Sequence, residues 1–170
     1  VIYTLMRGGA YLGNIISEFF KLAHKNKKPI LYSAVVAHSY LGVHENTEVI
    51  LDGWTLDPKT LKPDTSVLIV DDIFDSGATI NFLVHDLIKN GIRRDCIKIA
   101  VHDYKFFHYK KEQYEFQPDY WCRKHDIHNE GENLWIHYLS HELVGLSAIE
   151  LEDYYFKRNP ALRAVFKDIV

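Results

Sequence analysis

Along the first two thirds of the chain, short β-branched runs alternate with longer stretches in which apolar residues recur near helical spacing. Strands are predicted at residues 1–5, 30–37, 48–51, 67–70 and 97–101. Helices are predicted at 10–24, where Leu12, Ile15, Ile16, Phe19, Phe20 and Leu22 recur, and at 79–90, which is closed by Gly91. This order is typical of βαβ units, so it predicts an α/β fold with a central parallel sheet flanked by helices.

The pattern changes in the last third of the chain. From His102 onward the sequence is dense in aromatic residues, histidine and lysine, which predicts a small aromatic-rich hood lobe. Residues 147–170 are charged and amphipathic with a proline in the middle, which predicts two short helices. We therefore expect a core at 1–101 and a hood lobe with C-terminal helices at 102–170, both within a single domain of ordinary size.

Composition and charge narrow the classes of partner. The chain has 170 residues, 47% of them apolar and 25% charged, with a formal net charge of −3. Nothing global points to nucleic acid or an anionic membrane, so any phosphate binding must be local. Two cysteines, Cys96 and Cys122, suit a reducing compartment, and no apolar run approaches the roughly 18 to 20 residues of a membrane span. We expect a cytoplasmic protein.

The segment from Val67 to Ile80, which reads VLIVDDIFDSGATI, carries the main candidate chemistry. A strand that ends in Asp71 and Asp72 and then turns into a helix presents backbone N–H groups and a helix N-terminus to an anion. Gly77 permits the turn, and neighbouring hydroxyls add donors, so a phosphate monoester fits. The two carboxylates suit ribose hydroxyls or Mg²⁺. The alternative is a doubly wound domain whose acid pair serves another purpose, such as the metal site of a response-regulator-like fold.

This segment resembles the signature of type I phosphoribosyltransferases, which bind phosphoribosyl pyrophosphate (PRPP) and Mg²⁺. The resemblance implies the type I phosphoribosyltransferase fold. It also implies that Asp71 and Asp72 hold the ribose hydroxyls, with Asp72 the more direct contact to Mg²⁺ or its waters. The 5-phosphate would then lie on the loop formed by Ser76, Gly77, Ala78 and Thr79.

A second candidate loop lies about sixty residues upstream, between the first strand and the first helix. Arg7 offers a guanidinium that can bind oxygens bidentately, and Gly8 and Gly9 expose backbone amides beside it. The loop is similar to the Arg-Gly-Gly loop of xanthine-guanine phosphoribosyltransferases, in which a non-proline cis peptide is often found. That similarity implies pyrophosphate binding; an ordinary structural loop is the alternative.

Residues 38–47 are polar and irregular, which predicts a loop. Ser39 and Tyr40 resemble the start of the flexible loop that covers the site in 6-oxopurine enzymes. Such a cover excludes water while positive charge develops at the anomeric carbon. An ordinary polar connector is the alternative.

The base site is inferred from resemblance to 6-oxopurine enzymes. Asp75 matches their general base or proton partner, where adenine enzymes usually carry alanine. Lys105, four residues past the predicted strand end, resembles the lysine that donates to the purine 6-oxygen. Trp135 resembles the tryptophan that stacks on the purine, and the Ile136 carbonyl would accept from a 2-amino group. In the alternatives, Lys105 is a solvated lysine and Trp135 belongs to the lobe core.

Two features of the lobe limit this comparison. Leu139 and Ser140 stand where the family pattern has Pro-Trp, so the hood aligns less well than the core. The lobe also holds a group of possible metal ligands, namely Cys122, His125, His128, His137 and His141. One cysteine with irregularly spaced histidines does not match a zinc pattern, so no zinc site is predicted.

Taken together, these resemblances imply Mg²⁺-dependent transfer of ribose 5-phosphate from PRPP to hypoxanthine, guanine or xanthine, as in purine salvage. They also imply a homo-oligomer, dimer or tetramer. One alternative is a regulatory protein that binds PRPP without catalysis; another is a phosphoribosyltransferase for adenine or a pyrimidine.

Overall fold

The computed structural model describes residues 1–23, 29–41, 47–110, 114–138 and 146–166. Six strands form one sheet: β1 (Ile2–Met6), β2 (Tyr32–Leu41), β3 (Thr47–Trp54), β4 (Val67–Phe74), β5 (Ile97–Phe107) and β6 (Tyr120–Ile127). The α-helices are α1 (Ala10–Ala23), α2 (Ala78–Lys89), α3 (Ala148–Leu151) and α4 (Leu162–Phe166), with a π-helical turn at Glu152–Phe156. None of the described helices is long and apolar enough to cross a membrane.

The strand order in the sheet is β3-β2-β1-β4-β5-β6, and every neighbouring pair is parallel except β2 and β3. The predicted α/β fold class, with a mostly parallel sheet flanked by helices, is confirmed. The chain leaves β1 toward one edge and β4 toward the other, so the order reverses between these two central strands. In open α/β sheets, ligands bind at the carboxyl ends of the strands at such a reversal.

The helices α1 and α2 cover opposite faces of the sheet, because side chains alternate along each strand. Leu12 and Ile16 of α1 pack against the face formed by Ile2, Val70 and Ala100. The helix α2 packs on the other face, whose buried residues are Tyr3, Ile69, Ile99 and Val101. The α2 residues that enter this core are Ile80, Leu83, Val84 and Leu87. Complete burial of one such side chain contributes roughly 1.5–3 kcal/mol.

The helix α1 approaches the sheet through small residues. Its two buried residues are Gly13 and Ser17. A Cβ atom on Gly13 would lie 2.3 Å from Oγ1 of Thr4 on β1, so this contact requires glycine. The large apolar residues of α1 are consequently left on its flanks and outer surface.

The structure corrects the predicted loop at residues 38–47. Residues 38–41 continue β2, and β3 already begins at Thr47. Their antiparallel pairing joins His38 to Ile50 and Leu41 to Thr47. Cross-strand hydrogen bonds hold this segment extended, although its polar sequence shows no pattern of burial. Residues 42–46 lie outside the described residues.

Two further strands, β4 and β5, are also longer than predicted. The strand β4 continues through both aspartates to Phe74, and β5 continues to Phe107 instead of ending at Val101. The strand β6 was not predicted, because seven of its eight residues are exposed or half-buried and no alternation appears. The described chain divides into two compact units, Val1–Leu134 and Trp135–Val170. The predicted border after residue 101 instead falls inside β5; the grouping into a single domain stays a prediction.

Candidate functional site

Two loops meet at the carboxyl edge of the sheet, where the strand order reverses. One follows β1 and contains Arg7, Gly8 and Gly9; the other follows β4 and runs from Asp75 into α2. Because β1 and β4 are parallel neighbours, their following loops are placed side by side. The fold thus unites two predicted loops that lie about sixty residues apart in the sequence.

The second loop lines an open cavity of about 350 Å³. Its walls are Asp71, Ile73, Phe74, Asp75, Ser76, Gly77, Ala78, Thr79 and Ile80. The N-cap residue Gly77 has no side chain to cap α2, and the Ala78 amide donates only a long hydrogen bond of 3.4 Å, to the Ser76 hydroxyl. Amides at a helix N-terminus carry positive partial charge, so the cavity is suited to an anion such as phosphate.

Gly77 is required by the geometry of this loop. Its φ of 87° lies in the left-handed region, which side chains disfavour. A Cβ atom there would also lie 2.4 Å from the ring of Phe74. Backbone conformation and packing therefore both exclude a side chain at the turn.

The buried Asn81 ties this loop to the connection between β5 and β6. Its side-chain amide donates to the carbonyls of Gly77 and Phe116, at 3.0 and 2.8 Å. Its side-chain oxygen accepts from the Phe116 amide at 2.8 Å. These bonds satisfy buried polar groups of two separate segments, so Asn81 fixes the end of the anion loop against the rest of the core.

The first loop presses directly on the acid pair. A Cβ atom on Gly8 would lie 2.4–2.6 Å from the Asp72 carboxylate, and one on Gly9 would lie 2.5 Å from the Val70 carbonyl oxygen. The peptide bond between Met6 and Arg7 is cis, as occurs in the loop that the sequence resembles. Only a chain without side chains at these two positions reaches this close to the aspartates.

The two carboxylates are held in place by the backbone of their own strand. Asp71 accepts a hydrogen bond from the Asp72 amide at 2.9 Å, and Asp72 accepts one from the Ile73 amide at 2.8 Å. Burial raises the pKa of Asp71 well above its ordinary value, and the nearby Asp72 carboxylate raises it further. Such a pair favours the approach of a cation or of hydroxyl donors.

Asp75 and Lys105, predicted on separate grounds, are brought together. The Lys105 ammonium lies 3.1 Å from Oδ2 of Asp75 and 2.9 Å from Oδ1 of Asn133. Lys105 is only 3% exposed, whereas Asp75 is half-buried and reaches the cavity. Lys105 lies within β5, which corrects its predicted position past the strand end. A buried ammonium requires such partners, so it is not a solvated surface lysine.

Sequence reasoning missed a second polar group on β5, two residues before Lys105. The buried Asp103 carboxylate lies 2.6 Å from Nε2 of His125 and 2.7 Å from Nδ1 of His102, within hydrogen-bond distance of both. His125 stands opposite Lys105 on β6. The available signal was the pair of charged residues, Asp103 and Lys105, spaced two apart in the aromatic second half of the strand. Asn133 gave no comparable signal.

The remaining predicted residues are placed as follows. Arg7 is exposed in its loop. Ser39 and Tyr40 belong to β2, and their side chains lie outside the described part of the structure. Trp135, 68% exposed, and the half-buried Ile136 open the second compact unit. Among the described residues, no group of three or more histidine, cysteine or acidic side chains is arranged to hold a metal ion.

Solved structures with a similar fold include three phosphoribosyltransferases. Purine phosphoribosyltransferase from Pyrococcus horikoshii Ot3 is 24% identical with a TM-score of 0.54, and the match covers 74% of this chain and 71% of that one. Hypoxanthine phosphoribosyltransferase from Trypanosoma cruzi, in complex with the product IMP, is 21% identical with a TM-score of 0.50 and coverages of 72% and 57%. The hypoxanthine phosphoribosyltransferase from Staphylococcus aureus is 17% identical with a TM-score of 0.51 and coverages of 72% and 60%.

These likenesses concern the fold, and this chain spans less than two thirds of the length of both hypoxanthine enzymes. Comparison with curated protein sequences finds no match. The model of the phosphoribosyl transferase domain matches residues 1–137, which is most of the chain. The predicted type I phosphoribosyltransferase fold and glycosyltransferase class are thereby confirmed. The chain belongs to the phosphoribosyl transferase domain family.

Proposed function

We propose that this protein transfers ribose 5-phosphate from PRPP to a 6-oxopurine base, giving the nucleoside 5′-monophosphate and pyrophosphate in purine salvage. The observation that carries the choice of base is the contact between Lys105 and Asp75 at the rim of the anion cavity. A buried ammonium can donate to a 6-oxo group but repels the donor hydrogens of a 6-amino group. The half-buried carboxylate beside it can exchange a proton with the base.

The 5-phosphate of PRPP occupies the cavity at the start of α2. The backbone amides of Gly77, Ala78 and Thr79 donate to its oxygens, and the hydroxyls of Ser76 and Thr79 add further donors. This end of the substrate does not react. Its binding energy holds the ribose in place while the anomeric carbon changes partners.

Arg7, Gly8 and Gly9 bind the pyrophosphate, while Asp71 and Asp72 accept hydrogen bonds from the ribose hydroxyls. The glycine loop touches the Asp72 carboxylate, so the two functions meet at one point. Arg7 and the glycine amides stabilise the charge that the pyrophosphate gains as its bond to the anomeric carbon breaks.

The acid pair also fits Mg²⁺. The two adjacent carboxylates provide oxygen ligands for a hard cation. Burial and the neighbouring Asp72 carboxylate raise the pKa of Asp71, and a bound cation would offset the repulsion between the two carboxylates. Mg²⁺ commonly binds one or two carboxylates together with substrate phosphates. When bound through Asp72 and Asp71, Mg²⁺ would neutralise charge on the pyrophosphate.

Asp75 accepts the proton that the purine loses during the reaction. A purine nitrogen bonds to the anomeric carbon while the electrons of the broken C–O bond leave with pyrophosphate. The proton displaced from the purine passes to the Asp75 carboxylate. Lys105 holds Asp75 in position before the base arrives and donates to the purine 6-oxygen afterwards. Asn133 keeps the ammonium in reach of both.

Further roles rest on the family resemblance alone. Ser39 and Tyr40 belong to the cover that excludes water, Trp135 stacks on the purine, and the Ile136 carbonyl accepts from a 2-amino group. A homo-oligomeric state rests on the same resemblance, whereas a cytoplasmic location rests on the two cysteines, which suit a reducing compartment.

The test is a radiolabelled assay of the whole chain with PRPP, Mg²⁺ and a panel of purine and pyrimidine bases. Formation of nucleotide from hypoxanthine, guanine or xanthine supports the proposal. Product from adenine or a pyrimidine alone would overturn the choice of base. PRPP binding by calorimetry without turnover on any base would instead indicate a regulatory protein.

A further inference from the structure

The outer surface of α1 carries an apolar stripe directed away from the sheet. It consists of Tyr11, Ile15, Phe19 and Leu22, which are 68%, 39%, 69% and 74% exposed. At 3.6 residues per turn these four positions fall within an arc of about 80°. The residues that α1 buries, Gly13 and Ser17, lie on the opposite side of the helix. The helix therefore carries large apolar residues on its outer side as well as toward the sheet, where Leu12 and Ile16 pack.

A soluble surface helix normally confines its apolar residues to the face that meets its own core. Here the core contact requires small residues, since Thr4 leaves no room for a Cβ at Gly13. The large side chains on the outer stripe play no part in that contact. They form a continuous patch of roughly 500 Å², at the upper end of what monomers expose, and such patches commonly mark an interaction site.

We propose that this stripe is the interface between two copies of this chain, with the α1 helices packed antiparallel across a twofold axis. A standard interface buries about 800 Å² on each partner, usually with an apolar centre and a polar rim. The stripe supplies the apolar centre. Asn14, Glu18 and Lys21 run along one flank of it and supply a rim, with Lys21 bonded to Glu18 at 2.7 Å.

The spacing of the stripe is self-complementary. In an antiparallel pair centred on the middle of α1, between Ile16 and Ser17, Tyr11 faces Leu22 of the second copy. Ile15 comes within one residue of Phe19 of the second copy. Large side chains thus pack against large side chains, and the twofold axis repeats each of these contacts once more across the interface. The same register brings Asn14 near Glu18 of the second copy, where an amide can donate to a carboxylate.

An anionic membrane is a less suitable occupant. Helices that bind membrane surfaces carry mainly basic residues on their polar side. The polar flank of α1 instead holds one acid and one base, already paired with each other. Its inward face is also committed to the sheet, so the helix cannot reorient to insert.

The proposal specifies the surface of the proposed homo-oligomer and is tested without substrate, so its failure and that of the transferase proposal are distinguishable. Sedimentation equilibrium of the whole chain should give a dimer at micromolar concentration. The substitution Ile15→Glu should weaken dimerisation at least 100-fold. The matched control is Ile88→Glu on α2, the same residue type at 36% exposure against 39%, on the opposite face of the sheet. It should leave the dimer intact.

Circular dichroism verifies that each variant folds; if Ile15→Glu does not, Phe19→Gln replaces it at a more exposed position. The proposal is overturned if the wild-type chain stays monomeric up to 100 μM, about a hundredfold above a micromolar dissociation constant. It is also overturned if Ile88→Glu dissociates the dimer equally. Co-sedimentation of a monomer with phosphatidylserine vesicles would assign the stripe to a membrane instead.

The register has its own test. In a background with Cys96→Ser and Cys122→Ser, the double variant Tyr11→Cys/Leu22→Cys should form a disulfide-linked dimer on mild oxidation. Each single variant should not, because its cysteine faces an unsubstituted residue. Equal cross-linking of a single variant, or none in the double variant, would contradict the antiparallel arrangement.

Discussion

On the phosphate side of the site, the cavity is lined by consecutive residues, from Asp71 to Ile80 with one gap. On the base side, the three groups that meet come from distant positions: Lys105 is 30 residues from Asp75 and 28 from Asn133. The first side is built mainly of backbone, in places where a Cβ would collide. The second is built of side chains, with Lys105 on β5, Asp75 directly after β4 and Asn133 beyond the end of β6. In the proposed reaction, backbone geometry would thus serve the part of the substrate that stays constant, and side chains would serve the acceptor.

The largest effect is expected from Asp75→Ala, which removes the proposed proton acceptor. General acid–base catalysis typically contributes about 10²–10⁴-fold, so the turnover number should fall by that order. PRPP affinity, measured by calorimetry, should change little because the anion loop is intact. Asp75→Asn is the matched control for shape and for the contact with Lys105, and it should lose turnover equally. Equal losses of turnover and PRPP affinity would contradict the division between the two sides.

The next effect tests the backbone side. Gly8→Ala places a methyl group against the Asp72 carboxylate, and PRPP binding should weaken by roughly 100-fold, since overpacking costs up to about 3 kcal/mol. Gly13→Ala is the control, because its clash with Thr4 is equally tight but lies in the core beneath α1. That variant should lower the melting temperature and leave PRPP affinity unchanged. If Gly13→Ala weakened PRPP binding and Gly8→Ala did not, the first loop would lie outside the site.

A smaller, selective effect is expected from Lys105→Ala. A hydrogen bond from a charged group contributes about 1.5–3 kcal/mol, so the KM for hypoxanthine and guanine should rise roughly tenfold or more. PRPP binding should persist. Asn133→Ala, which removes only a partner of the ammonium, should cause a weaker change of the same kind. Unchanged purine kinetics in the lysine variant would show that a residue other than Lys105 selects the base.

The smallest effect concerns pH. Because the pKa of Asp71 is raised in the folded protein, its protonated form is favoured by folding. The stability that this contributes is present below the unfolded-state pKa and is lost as pH rises through the folded-state pKa. Melting temperatures of the substrate-free protein should show this loss, and Asp71→Asn should reduce it. An identical pH profile in both proteins would contradict the raised pKa.

The same contrast explains how far the sequence could be interpreted. The loop from Asp75 to Thr79 was predictable because glycine, hydroxyls and a following helix are local features. The extension of β5 was not, because its charged residues Asp103 and Lys105 are buried against distant partners, His125 on β6 and Asp75 in the loop after β4. The strand β6 escaped detection for a related reason, since its pairing with β5 involves backbone atoms while most of its side chains face solvent. Contacts between distant residues leave no periodic pattern in the sequence.

The close approach of Gly8 and Gly9 to the acid pair has a consequence for how this protein can change. A substitution at either position displaces backbone or carboxylate atoms, so the sugar-phosphate side offers few routes for gradual variation. Lys105 and Asn133, by contrast, reach the base side through their side chains, so a substitution there does not have to displace the backbone. Engineering of a new acceptor should therefore begin at Lys105 and Asn133 and leave the glycine loop untouched.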